Sequence, residues 1–104
     1  MPTEAEIEQE IQDKGLTAPR LDPSDIDAVI SYAEYVRIPN TTCTVCALIL
    51  TNGYVVTGES AAASMENFDM EVGEKVAYTN AREKIWALEG YLLKEKLYNE
   101  RKPN

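Results

Sequence analysis

A long stretch near the C-terminus, from Asp69 to Asn99, contains no proline, and only Gly73 and Gly90 weaken its helical pattern. Apolar residues recur along it at steps of four, four, three and four, which places them on one helix face; they are Ala77, Ala81, Ile85, Leu88 and Leu92. A continuous helix of about 30 residues is about 45 Å long. That length exceeds the diameter expected for so small a domain, so we expect the helix either to bend at Gly90 or to project beyond the rest of the fold.

Residues 85–93 of this helix are apolar on nearly every side. Leu88 and Leu92 point one way, Trp86 points about 120° away from them, and only Glu89 is charged. Such a helix must be buried on nearly every side, and a hairpin with two short helices cannot cover it alone. We therefore predict a homo-oligomer, a dimer or a higher assembly up to a hexamer, whose interface contains Ile85, Trp86, Leu88, Tyr91, Leu92 and Leu93.

Two capping signals predict short helices in the N-terminal part of the chain. A Thr-x-x-Glu capping box at residues 3–6 predicts a helix over about residues 4–14. Asp22 followed by Pro23 is an N-cap with proline at the first helical position. The helical spacing of the apolar residues that follow predicts a second helix that reaches about Ala33.

The clearest local signal is a β-hairpin. The Thr/Val/Ile-rich run 41–50 and the run 54–58 flank an Asn-Gly pair at 52–53. This is the strongest short hairpin signal, because both turn positions adopt positive φ. We expect Gly58 to end the second strand or to mark a bulge, and residues 60–64 to form a loop or a single helical turn.

These elements together predict an α+β fold. It contains short N-terminal helices, an antiparallel β-hairpin or small sheet, an extended segment at 35–38 and the long C-terminal helix. Residues 17–21 are predicted to be a linker. We therefore divide the chain into an N-terminal helix and linker, residues 1–21, and a single α+β domain, residues 22–104.

The two cysteines, Cys43 and Cys46, form a C-x-x-C pattern inside the first predicted hairpin strand. Residues three apart on a strand point to opposite faces of the sheet. A disulfide or a shared metal ion is then out of reach, and no second ligand pair exists in the sequence. We predict two reduced, metal-free cysteines that pack as small apolar side chains.

Composition excludes several classes of function. The chain carries 18 acidic against 10 basic residues, a net charge of −8, which disfavours binding of a nucleic acid polymer or an anionic membrane. It has no histidine, so imidazole bases and histidine metal ligands are absent. The acidic N-terminus has no signal-peptide core, and no apolar run reaches the length of a membrane span. We expect a cytoplasmic protein without cofactor or metal.

One grouping on the long helix could bind an anionic, aromatic ligand. Lys75, Tyr78, Thr79, Arg82 and Trp86 fall within about 100° of helical arc. Guanidinium binds phosphate and aromatic rings stack on bases, so a nucleotide fits this set. The alternative interpretation is that the cations are solvated or paired with acids, while the aromatic residues belong to the core or to an interface.

Four motifs carry a resemblance to a known family. They are Asn52-Gly53, Gly58-Glu59-Ser60-Ala61, Asn67-Phe68-Asp69 and the run 84–93, which reads KIWALEGYLL. At these spacings the chain resembles a family of small tailed-phage and prophage proteins over about residues 22–97. The family is also similar to phage anti-Thoeris sponge proteins, which are hairpin-plus-helix oligomers that sequester cyclic ADP-ribose-type signals and, in some members, cyclic oligonucleotides.

The resemblance implies a non-enzymatic protein that binds a nucleotide immune signal in the cytoplasm of an infected bacterium. We predict a pocket between chains, in which Phe68 stacks on the ligand, Asn80 bonds a base edge, and Arg82 and Lys84 bind phosphate. Arg82 and Lys84 point about 160° apart on the helix, so a neighbouring chain must supply the second cation. The alternative is a phage protein that inhibits a host protein by direct binding; a ligand-degrading enzyme is the least favoured reading.

Overall fold

The computed structural model describes residues 2–16 and 18–101. In chain order the elements are α1 (Glu4–Asp13), α2 (Pro23–Ala28), β1 (Ile30–Arg37), β2 (Cys43–Leu50), β3 (Val55–Ala61), a 3-10 turn (Met65–Asn67) and α3 (Met70–Arg101). The strands form one antiparallel sheet in the order β1-β2-β3, and α3 packs across one face of it. The α+β class predicted from the sequence is confirmed.

Both predicted helix starts are confirmed. The backbone N–H of Glu6 donates to Thr3 Oγ1 at 3.1 Å, and that of Asp25 donates to Asp22 Oδ1 at 3.0 Å. Each pair is a complete capping box, which satisfies N–H groups that have no partner inside the helix.

The predicted length of the second helix is wrong. α2 ends at Ala28 rather than near Ala33, and β1 begins at Ile30. Residues 30–36 are rich in β-branched and aromatic side chains, which favour strands, and pairing with β2 satisfies their backbone groups. This long-range pairing outweighs the local helical spacing. The extended segment expected at 35–38 is the end of this longer strand.

β2 and β3 form the predicted hairpin, but the turn differs from the one expected. Residues 51–54 lie between the strands. The N–H of Leu50 donates to the carbonyl of Tyr54 at 2.8 Å, which closes a loop of three residues, 51–53. Among the loop residues only Gly53 has a positive φ, at 88°, as in three-residue hairpin loops. The expectation of two positive φ values was therefore wrong.

Gly58 lies inside β3, opposite Cys46, and the register is regular on both sides. The predictions that it ends the strand or forms a bulge were wrong, and the loop expected from residue 60 starts only after Ala61. The missing side chain lets α3 approach the strand. A Cβ at Gly58 would overlap the backbone nitrogen of Ala81 and lie 2.6 Å from Ala77 O.

The core lies between the sheet and α3, and α2 closes it at one end. The predicted helix face is confirmed for Ala77, Ala81 and Ile85, which are fully buried, and Leu88 packs against the same cluster. The remaining buried apolar residues are Ile26, Cys46, Leu48, Leu50 and Val56.

The two cysteines lie on opposite faces of β2, as predicted. Residues of this strand alternate between half-buried and buried, with Cys43 half-buried and Cys46 fully buried on the α3 side. Both are free thiols. Burial raises the pKa of the Cys46 thiol, which keeps it in the unreactive protonated form at neutral pH.

No described element of the protomer covers the sheet face that points away from α3. We call it the open face. It consists of the even-numbered residues 32–36 of β1 and the odd-numbered residues of β2 and β3. Directly paired residues point to the same face of a sheet, and these residues pair with one another rather than with the buried positions. Its central row is Val45, Ala47 and Ile49, all half-buried. At its edges, Val36 is 57% exposed and Val55 is 47% exposed.

α3 continues through Gly90 and projects beyond the sheet, since 32 residues span about 48 Å and the longest dimension of the protein is 58 Å.

Of the predicted interface residues, Ile85 is buried in its own protomer, and Trp86, Leu88 and Leu93 are half-buried. Tyr91 and Leu92 are 69% and 59% exposed, so they keep surface for another chain. No helix among the described residues is long and apolar enough to cross a membrane.

Two glycine-to-alanine substitutions should have opposite effects on stability. Gly58→Ala places a Cβ against the α3 backbone, so it should cost about 3 kcal/mol or prevent folding. Gly90→Ala meets only Leu21 Cδ1, at 4.0 Å, and should stabilise α3 by about 0.5–1 kcal/mol because alanine is the better helix former. Urea denaturation followed by circular dichroism measures both. Equal stabilities of the two variants would contradict the close backbone packing at Gly58.

Candidate functional site

A cleft of about 390 Å³ lies where the end of β3 faces the first turns of α3. Two of the four predicted ligand residues, Phe68 and Asn80, line it. The cleft also presents hydroxyl and amide groups and the carboxylate of Asp69. This lining offers an aromatic surface, hydrogen-bond donors and strong acceptors within one concave space.

Phe68 stands at the junction between the 3-10 turn and α3. The next residue, Asp69, caps α3 by accepting a hydrogen bond from Val72 N at 3.0 Å, which fixes where the helix begins. The guanidinium carbon of Arg37, the last residue of β1, lies 4.3 Å from the centroid of the Phe68 ring, a distance typical of cation–π pairs. An exposed cation and an aromatic ring therefore stand together beside the cleft.

Two side-chain hydrogen bonds set the width of the cleft. Asn80 Nδ2 donates to the carbonyl of Glu59 at 2.8 Å, and Ser60 Oγ donates to the carbonyl of Gly73 at 2.7 Å. Both join β3 to α3. Because they restrain both walls, the position of Phe68 relative to the strand is set by the fold.

Arg82 lies elsewhere, under the N-terminal helices. Its Nη1 donates to Glu4 Oε2 at 2.6 Å, its Nε to Asp27 Oδ1 at 2.8 Å and its Nη2 to the carbonyl of Pro23 at 3.1 Å. The side chain is only 15% exposed. The hydrogen bond to Glu4 raises the pKa of the guanidinium further above its already high value. Arg82 thus holds both N-terminal helices against α3.

Trp86 takes part in the same contact. Its Nε1–H donates to Glu4 Oε2 at 3.3 Å, so a single carboxylate oxygen of α1 bridges the indole and the guanidinium. A second, bidentate pair fixes α1 to the chain before α2: Arg20 Nη1 and Nη2 donate to the two oxygens of Glu8 at 2.6 and 2.7 Å. The ion-pair interpretation of the cations is therefore confirmed for Arg82.

Lys84 is exposed and, among the described residues, has no acidic group within 4.0 Å of its ammonium. Within one protomer the structure brings Phe68 and Asn80 to a common cleft and separates Arg82 and Lys84 from it. The prediction that two chains share the ligand residues remains a prediction.

Sequence reasoning missed Arg37. The residue closes a strand that was expected to begin only at residue 35, and its partner Phe68 is 31 positions further along the chain. A correct register for β1 would have placed it on the α3 side of the sheet, opposite Thr44. Within residues 2–16 and 18–101, no group of three or more His, Cys, Asp or Glu side chains is arranged to hold a metal ion.

The sequence of this α+β chain matches a family of phage proteins. Residues 21–97 match the sequence model of the Phage protein (N4 Gp49/phage Sf6 gene 66) family, and the chain belongs to this family. The predicted phage resemblance is thereby confirmed at the level of the family. No curated protein and no solved structure matches the chain. α1 lies outside the matched segment, whereas Arg82, Phe68 and Asn80 lie inside it.

Replacing Arg82 should release α1. Arg82→Met removes three hydrogen bonds and leaves Glu4 and Asp27 without their cation, so we expect a loss of about 2 kcal/mol. Trp86 is the only tryptophan, and its emission should shift to the red as α1 leaves. Lys84→Met is the matched control, with a change within about 0.5 kcal/mol because the ammonium is exposed. Equal urea midpoints for the two variants would count against the Arg82 contact.

Acidification should also loosen α1. The hydrogen bond from Arg20 lowers the pKa of Glu8. The ionised carboxylate therefore stabilises the docked helix at pH values above the pKa of the unfolded state, which is about 4–5. This stabilisation is lost as the pH falls through the lowered pKa of the folded state. Trp86 emission recorded from pH 7 to pH 3 should stay constant at first and change only in the acid range. In Glu8→Gln this change should shrink, and an identical titration in the variant would argue against the pair.

Proposed function

We propose that this member of the phage family is a non-enzymatic sponge. It binds a nucleotide immune signal, a cyclic ADP-ribose type or a cyclic oligonucleotide, and withholds it from a bacterial anti-phage defence in the host cytoplasm. The observation that carries the proposal is the Arg37–Phe68 pair, with 4.3 Å between guanidinium carbon and ring centroid, beside the cleft that Asn80 lines.

Each group in the cleft matches a part of a nucleotide. An aromatic ring offers a stacking surface for a base, and a guanidinium offers a planar donor set for phosphate. Asn80 uses one donor on Glu59 O, which leaves its carbonyl oxygen as an acceptor for a base edge. The carboxylate of Asp69 can accept a hydrogen bond from a ribose hydroxyl.

The same carboxylate opposes phosphate, and the proposal therefore needs cations from a second copy. Lys84 is exposed and unpaired among the described residues, so it is available for a neighbouring protomer. Arg82 can take part only by exchanging the Glu4 carboxylate for a ligand phosphate, a swap between two anions of similar geometry. Binding of the signal is thus tied to assembly of the protein.

Calorimetry with cyclic ADP-ribose isomers and with cyclic di- and trinucleotides tests the proposal. One ligand should bind with a Kd below about 10 μM, which corresponds to a binding free energy of about −7 kcal/mol or stronger. Phe68→Leu keeps an apolar side chain but removes the stacking ring, and Arg37→Gln removes the cation; each should weaken binding about tenfold or more. The ligand should be recovered unchanged after incubation.

Arg101→Gln is the control, because this arginine is exposed at the far end of α3 and should leave Kd unaltered. Lys84→Gln should weaken binding while the free energy of unfolding stays constant. The proposal is wrong if none of these nucleotides binds more tightly than about 10 μM, or if Phe68→Leu and Arg101→Gln behave alike.

The second candidate function is inhibition of a host protein by direct binding. The open face favours it, since an exposed apolar sheet surface is a common feature of protein–protein contacts. Under this alternative none of the nucleotides binds, and the chain captures one host protein whose binding is abolished by charge placed on the open face.

A further inference from the structure

The open face is an apolar surface of unusual composition for a protein exterior. Val36 is 57% exposed, Tyr32 53% and Val55 47%, and they flank the half-buried row Val45, Ala47 and Ile49. Of the 18 acidic residues in the chain, only Glu34 and Glu59 lie on this face, and no basic residue of the described segments does.

The central strand β2 reads CTVCALIL and offers apolar side chains to both sides of the sheet. In antiparallel sheets with one solvated face, apolar and polar residues alternate along each strand, whereas strands covered on both faces are continuously apolar. α3 covers one side. The sequence of β2 is that of a strand with a second cover.

We propose that the second cover is another copy of this chain, whose open face packs against this one to form a two-sheet sandwich. The inference does not rest on nucleotide binding. Sheets packed in this way lie about 10 Å apart with strands roughly aligned. β2 of one copy then lies over β2 of the other, and both apolar rows become core.

Charge favours a copy over a foreign partner. The open face carries only the two carboxylates of Glu34 and Glu59, too few to select a strongly charged partner. Two copies of net charge −8 can nevertheless approach, because α3 and the docked α1 and α2 carry most of the acids on the other side of the sheet. Glu34 on β1 and Glu59 on β3 sit on the edge strands, where an interface has its polar, hydrated rim.

The area is sufficient for a dimer. Three strands about 4.8 Å apart and about seven residues long present a face of roughly 14 by 24 Å. Because the side chains protrude from this plane, each copy would bury about 500 Å² of accessible surface and the pair about 1,000 Å². This total reaches the lower bound for a specific interface. Tyr91 and Leu92 on the projecting end of α3 stay outside it and remain open to the predicted helix contact.

The test compares two double variants that are matched in exposure and charge. Val36→Lys with Val55→Lys alters the open face. Val72→Lys with Val76→Lys alters two valines of α3, which are 56% and 44% exposed, close to the 57% and 47% of the first pair. Circular dichroism confirms that both variants are folded, and sedimentation velocity at about 50 μM, where mass action favours assembly, reports their masses.

We expect the wild type and the α3 variant to sediment at or above the dimer mass, twice 11.6 kDa, and the open-face variant to sediment as a monomer. A monomeric wild type would overturn the inference and leave the face to another partner. An assembly that survives the open-face substitutions, or that both variants disrupt equally, would also overturn it.

A cross-linking measurement gives a second readout that no loss of folding can mimic. Ala47→Cys in a Cys43→Ser background places a thiol near the centre of the open face, while Cys46 is fully buried on the other side. A short bis-maleimide should then yield covalent dimers. Thr79→Cys in the same background, exposed on α3, should yield none, and equal yields at both positions would contradict the sandwich.

Discussion

The contact between Gly58 and the backbone of α3 is the constraint on which the other features depend. Strand and helix meet there without an intervening side chain, and the helix residues at the contact include Ala77 and Ala81, which are small and fully buried. This close approach sets the tilt and height of α3 over the sheet. It thereby places Asn80 within reach of Glu59 and gives the cleft its width.

The sheet divides the molecule into two unlike sides. Behind it lie the helices, most of the charges and the polar contacts of Arg82; in front lies a nearly uncharged apolar surface. A protein that needs both a polar cleft for a small ligand and an assembly surface can keep the two apart in this way. Alternate residues of each strand form the two faces, so a substitution on one side changes side chains on that side alone.

Local chemistry made much of the fold predictable. The Thr3 and Asp22 caps, the Asn-Gly hairpin and the α3 face are determined by neighbours a few residues apart. β1 was missed because Ile30 also fits a helical stripe, and only pairing with Leu50 decides its state. The partners of Arg82 are 55 and 78 positions away, and no spacing rule could identify them.

The site was predictable to a smaller extent, for the same reason. Phe68 reaches the cleft because it precedes the start of α3, which the sequence marks with Asp69, and Asn80 lies further along the same helix. Arg37 joins them only through the register of β1. The separation of Arg82 and Lys84 follows from helical geometry, whereas the capture of Arg82 by Glu4 depends on where an unmatched N-terminal helix docks.

The way in which α1 is attached has a calorimetric consequence. The helix buries no residue completely and is fixed mainly by carboxylate–guanidinium pairs, so its release exposes little apolar surface. Heat capacity changes on unfolding follow apolar exposure, while attraction between charges falls with ionic strength. The curvature of the stability curve therefore belongs to the core formed by the sheet, α2 and α3. Dissolved salt, more than temperature, governs how much of the protein population carries α1 in place.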